Sequence, residues 1–138
     1  MKTALMTLTV VALFPPILRA EDKMPSLTLS TRDAVFQITL NDSATARDFA
    51  ALLPLDIELS DYNRVEKVFS LPRRLTTQGA PEGYDPAPGD VALFAPWGNI
   101  VLYYGDAPWY RGIVPIGRFG GDLDALSRAD GPAVIRAD

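Results

Sequence analysis

The side chains best suited to recognising a ligand lie in the second half of the chain: Tyr84, Trp97, Tyr103, Tyr104, Trp109, Tyr110 and Arg118. Trp97, Trp109 and Tyr110 sit at or beside expected turns. Exposed together, they would offer a platform for a peptide or a sugar; folded back, they would close over the mouth of a barrel. Arg118 precedes Phe119-Gly120-Gly121 and a short expected helix at Asp122 to Ser127, whose first amides can hold an anion. Asp122 and Asp124 share that first turn, however, and suit capping of the helix better. Tyr84 belongs to Gly83-Tyr84-Asp85-Pro86-Ala87-Pro88-Gly89-Asp90. That run reads either as a loop shaped around a ligand or as a rigid connection whose aspartates cap turns.

Two absences narrow the chemistry further. The chain has no histidine and no cysteine. This excludes Ser-His-Asp and Cys-His nucleophilic sites, thioredoxin-like exchange, disulfides, and zinc or copper sites built on His or Cys. Asp122-Leu123-Asp124 is too sparse for a calcium loop. No metal or other cofactor is expected.

The elements that must position these residues follow from patterning. With 138 residues, 48% hydrophobic and 22% charged, the chain is long enough for one domain with its own core. Its 12 prolines and 10 glycines are scattered, which suits strands and turns better than a helix bundle. At the N-terminus, Lys2, the apolar run Ala4 to Phe14, the breakers Pro15-Pro16 and the small Ala20 follow the plan of a signal peptide over residues 1–20. Export to the periplasm or medium is the expected localisation. Cutting after Ala20 removes two of the 13 basic side chains, Lys2 and Arg19, and leaves 11 against 17 acidic ones, a net charge of −6. Such a domain has no electrostatic reason to bind nucleic acid or an anionic membrane.

Residues 21–25 read as a flexible lead-in, and 26–138 as the folded domain. Alternation predicts strands at Leu27 to Ser30, Val35 to Leu40, Asp56 to Leu59, Val65 to Leu71, on both sides of Trp97-Gly98-Asn99, at Ile113 to Gly117 and at Val134-Ile135. Val91, Leu93, Ile100 and Leu102 are the expected interior residues of the central hairpin, with positive φ at Gly98-Asn99. Ala46, Phe49, Ala50 and Leu53 share one face of a helix that follows Asn41-Asp42-Ser43 and stops at Pro54. Many short strands with one main helix and a short second one predict a mainly β, closed barrel.

The series TARDFAALLPL, LPRRLTTQGAPEGYDPAPGD, APWGN and GxxPIGRFGG resembles the small bacterial cyclophilin-like proteins over roughly residues 26 to 128. The resemblance implies a cyclophilin-like eight-stranded barrel with helical caps. Cyclophilins place an arginine in a Phe-His-Arg run; Phe69-Ser70-Leu71-Pro72-Arg73-Arg74 is the nearest match, without the histidine. Val101-Leu102-Tyr103-Tyr104 looks like their Gln-Phe-Phe run, with Leu102 where glutamine is expected.

Twisting an X-Pro bond costs about 18–20 kcal/mol. A desolvated arginine on the proline nitrogen would lower that barrier by favouring the twisted form. Arg73 or Arg74 is therefore the catalytic candidate if the chain is a divergent prolyl isomerase. The leading expectation is a domain that binds a small molecule or peptide segment without catalysis. A structural or partner-binding module is the third.

Overall fold

The computed structural model describes residues 2–5, 7–16 and 24–138. The expected cut after Ala20 and most of the 21–25 lead-in lie outside the described residues. Among the described residues, ten strands and two helices follow in the order β1 (Ser26–Thr31), β2 (Val35–Leu40), α1 (Ala44–Ala50), β3 (Leu55–Tyr62), β4 (Glu66–Phe69), β5 (Gly83–Tyr84), β6 (Asp90–Phe94), β7 (Asn99–Tyr103), β8 (Tyr110–Arg111), β9 (Ile113–Gly120), α2 (Leu123–Ser127) and β10 (Gly131–Ala137). Eight of the strands close an antiparallel barrel in the order β1-β10-β3-β4-β7-β6-β9-β2, and β5 pairs with β8 in a separate ribbon. Closure leaves the barrel no unpaired edge.

The interior is built by the alternation that the sequence displays. Leu27 and Leu29, Phe36, Ile38 and Leu40, Val91 and Leu93, and Ile100 and Leu102 all point inward and are buried. Phe49 of α1 and Leu126 of α2 are fully buried in the same core. The Phe49 ring lies 6.4 Å from that of Phe69. Ser43 caps α1 by accepting from the Ala46 amide, and Asp122 caps α2 by accepting from Asp124. Of the two aspartates expected to cap α2, Asp122 does so, and Asp124 stands in the first turn.

Several boundaries differ from the expectation; β3 and β10, for instance, run well beyond Asp56 to Leu59 and Val134-Ile135. Helix α1 ends at Ala50, not Leu53, because the chain turns at Leu52 and Leu53, whose amides bond back three residues to Phe49 and Ala50. β4 ends at Phe69, two residues before Leu71, since Pro72 cannot donate to a ladder and the chain bends away there. β9 runs on to Gly120, and it carries an irregularity opposite Val91 and Ala92. At Gly117 a Cβ would sit 2.4 Å from the Thr39 carbonyl oxygen, so the close β2–β9 approach there requires glycine.

Lys67 is an exception on the inward face. Its side chain is 1% exposed, and its ammonium meets Asp61 at 3.2 Å and Asp130 at 3.1 Å. Its apolar stem packs inside while the charge reaches the rim.

Candidate functional site

Outward-facing residues of the same strands build a second, smaller core. Ala92, Val101, Tyr103 and Ile113 are buried on the outer surface of β6, β7 and β9, with Val68, Tyr84, Phe94 and Ala107 packed on them. This is the period-two rule at work: Leu102 faces the barrel interior, and its neighbours Val101 and Tyr103 face out. The long connections after β4 and β7 provide the cover, joined by the β5–β8 ribbon through the register Tyr84 to Tyr110. Gly83 makes the ribbon possible, because the Trp109 ring occupies the place of a Cβ, 2.4 Å away.

Between this cover and the β3–β4 turn lies an open pocket of about 430 Å³. The turn is tight: three residues, Asn63-Arg64-Val65, join the strands, with φ of 54° at Asn63 and 58° at Arg64 and the Val65 amide bonded back to the Tyr62 carbonyl at 3.3 Å. It sets Tyr62 on one side of the pocket. Phe94, Trp97 and Tyr110 stand on the other sides, and Val101, Tyr103 and Ile113 form the floor. The rings meet as walls and do not stack: Trp97 is perpendicular to Tyr62 at 5.6 Å and to Phe94 at 5.3 Å, and Phe94 lies 5.6 Å from Tyr110.

The polar groups of the pocket are Glu66, Asn99, Asn63 and Asp106, besides the tyrosine hydroxyls. Among the described residues, no lysine or arginine lines it. The Asn99 Oδ1 is buried and, among the described residues, has no hydrogen-bond partner. Burial, with the Asp61 charge behind it, pushes the Glu66 carboxyl up to about 6. Burial also raises Tyr103, with the charges of Glu66 and Asp90 adding to it, so its hydroxyl stays protonated.

The structure gathers three of the sequence candidates here: Trp97, Tyr103 and Tyr110. Trp97 is 61% and Tyr110 58% exposed, so both are rim residues. They stand on the outer wall of the barrel, not over its mouth. Trp109 lies off this pocket, in a shallow hollow with Pro96 and Arg111.

The remaining candidates are engaged elsewhere. Tyr104 donates to Asp61, and its ring lies 5.8 Å from the Lys67 ammonium. Tyr84 and Arg118 both donate to the buried Asp90, at 3.0 and 2.5 Å, and the Ala87 amide adds a third bond at 2.8 Å. The Tyr84 hydroxyl is raised by burial and by that bond. Of the two loop aspartates, Asp85 and Asp90, it is Asp90 that caps a turn, accepting from the Ala87 amide, and Arg118 bridges β9 to the loop.

Arg73 and Arg74 lie in the bend after β4, not on a strand. Arg73 makes two bonds to Asp48 of α1, at 3.0 and 2.7 Å, and holds that carboxyl below its usual range. Arg74 donates to the Ala95 carbonyl at 3.0 Å. Neither lines the pocket.

Sequence reasoning misses Glu66, Asn99, Tyr62 and Phe94. Glu66 sits at the start of an apolar strand, where a lone carboxylate reads as a solvated position. Asn99 reads as a turn residue. The usable signal was alternation, which places Glu66 and Val68 opposite in sense to Lys67 and Phe69 and hence on the outer face.

An antiparallel eight-stranded barrel with an aromatic pocket on its outer wall defines the class, and the comparisons define the family. Residues 29–137 match the Cyclophilin-like family, and the chain belongs to it. The solution structure of a hypothetical protein from Archaeoglobus fulgidus is similar, with a TM-score of 0.62 at 23% identity, covering 87% of this chain and 100% of that one. At that identity the likeness concerns the fold. No curated protein matches the sequence.

Proposed function

We propose that this chain is a ligand-binding member of the cyclophilin-like family, using the outer-wall pocket to hold a small molecule or a short peptide segment. The observation that carries the reading is the combination of an open aromatic pocket with a buried, unpartnered acceptor, Asn99 Oδ1. Its volume of about 430 Å³ lies in the range of small-ligand sites. A buried acceptor without a partner costs stability unless something supplies a donor. Five aromatic rings supply contact area at little cost in rotamer freedom.

The test is a fluorescence titration of Trp109→Phe, which leaves Trp97 at the pocket rim as the reporter. The titrants are aromatic amides, dipeptides, aromatic amines and aromatic acids, each taken to about 10 mM so that affinities near 1 mM register. At least one should give a saturable change that Tyr110→Ala weakens. Absence of a saturable response across the whole series would overturn the reading.

The same proposal places the domain outside the cytoplasm. Its support is the N-terminal pattern of Lys2, the apolar run and Pro15-Pro16, together with the exposure of Leu5, Leu8, Val10, Val11, Leu13 and Phe14. Expression of the full chain with fractionation and mass determination should recover a periplasmic product beginning at Glu21. A full-length product confined to the cytoplasm would contradict it.

A further inference from the structure

We propose that the ligand of the outer-wall pocket is an organic cation: a protonated primary amine or a guanidinium carried on an apolar or aromatic body. This rests on the reading of the pocket as a ligand site and specifies its chemistry. Three independent features point the same way.

The first is charge. Glu66 and Asp106 line the pocket and, among the described residues, no cationic side chain does. Other part-buried carboxylates nearby are matched: Asp61 by Lys67 and Tyr104, Asp90 by Arg118 and Tyr84. Among the described residues, no hydrogen bond or ion pair engages the Glu66 carboxylate, although it is half-buried. A half-buried carboxylate left without a partner is complementary to an incoming positive charge.

The second is the aromatic lining. Tyr62, Phe94, Trp97, Tyr103 and Tyr110 surround the same space, and ring faces attract cations, tryptophan most strongly. Their near-perpendicular contacts give walls at right angles, the shape of a cage and not of a flat stacking platform.

The third is the buried acceptor. Asn99 lines the pocket with its Oδ1 turned away from solvent and unpartnered among the described residues; once the amide turns toward the cavity, that oxygen can be satisfied only by an N–H or O–H donor. An anion or a donor-free apolar molecule would leave it unpaired. A quaternary ammonium would fill the cage and still leave it unpaired, which selects a cation that carries N–H groups.

Glu66 is also the titrating element of the site. The ionisable groups around it are Asp61 and Tyr62 from β3, Tyr103 at the end of β7, Tyr104 just after it, and Asp106 from the loop beyond. Lys67, next to it on β4, points inward to Asp61 and Asp130. Cation binding should therefore weaken as pH falls through about 6, where Glu66 takes up its proton.

The test is calorimetry on the full domain with probes of one shape and different charge: 2-phenylethylammonium, 2-phenylethanol, 3-phenylpropanoate and trimethyl(2-phenylethyl)ammonium. The primary amine should bind about tenfold tighter than the alcohol, the scale of a cation–π contact joined to a part-buried ion pair. The acid should not bind, and the trimethylated amine should bind more weakly than the primary one. Glu66→Gln should reduce amine affinity several-fold and alcohol affinity far less. Lowering the pH of the unaltered protein from about 7 to about 5 should do the same, so the result does not depend on the variant folding. Alcohol binding as tight as amine binding, or amine binding indifferent to both Glu66→Gln and pH, would overturn the cation inference while leaving the pocket a ligand site. Failure of all four probes together with the broader titration series would overturn both.

Discussion

Replacing Glu66 by glutamine should make the unliganded domain more stable, and only above the pH where the carboxyl ionises. The carboxyl is moved from 4.5 to about 6 by burial and by the Asp61 charge. Its folded pKa is thus higher than its unfolded one, and the folded state binds the proton more tightly. Below about pH 4 both states are protonated and glutamine is a fair mimic of the acid. As pH rises from 4.5 to 6, the unfolded chain releases its proton first, and the wild type loses stability relative to the variant. Above 6 the deficit is constant. A shift of that size corresponds to about 2 kcal/mol, and solvent in the half-open pocket screens it to about 1 kcal/mol. Urea unfolding of both proteins at about pH 4 and about pH 7 gives the difference of differences, in which acid effects on Asp48 and other shared carboxylates cancel. A variant no more stable than wild type at pH 7, or one whose advantage is the same at both pH values, would refute the reasoning. Cation binding supplies the missing partner, so 2-phenylethylammonium should raise the wild type's midpoint more than the variant's.

Three further outcomes follow from the scaffold around the pocket. Asp90→Ala removes the shared acceptor of Tyr84, Arg118 and the Ala87 amide, and should cost about 2–3 kcal/mol by urea unfolding, leaving Tyr84 and the β6–β9 seam less protected from hydrogen exchange. Arg64→Gly relieves a left-handed residue at φ 58° in the β3–β4 turn, and should stabilise by about 0.5–1 kcal/mol without changing ligand affinity. Gly117→Ala drives a Cβ into the Thr39 carbonyl, and should cost about 2 kcal/mol or more, with the largest loss of amide protection along β2 and β9.

The barrel is legible in the sequence because its interior is written in alternation. Leu27 and Leu29, Phe36, Ile38 and Leu40, and the Val91–Leu93 and Ile100–Leu102 pairs all face in as their period requires. The site is only half legible, for the same physical reason. Residues on the outer face of a barrel strand look like solvated positions unless something covers them, and the cover here comes from loops distant in sequence. Trp97, Tyr103 and Tyr110 stand out because they are large and aromatic. Glu66 and Asn99 do not, since one carboxylate and one turn asparagine carry no signal until the β5–β8 ribbon and the loop after β7 close around them. Tyr103 and Tyr104 look like a unit in sequence, yet adjacent strand residues point apart, and only Tyr103 reaches the pocket. Arg73 or Arg74 looks like the catalytic arginine by resemblance. Pro72 ends the strand before them, and local partners on α1 and the β6–β7 turn engage both.

The most direct test of the account is an NMR titration of the isotopically labelled domain with 2-phenylethylammonium at neutral pH. The account predicts saturable shifts in the Asn99 side-chain amide, the Trp97 indole and the backbone of Glu66 and Tyr103, with the Trp109 indole and the Arg73 region unmoved. Shifts confined to residues outside the pocket, or an unshifted Asn99 side chain at saturation, would contradict it.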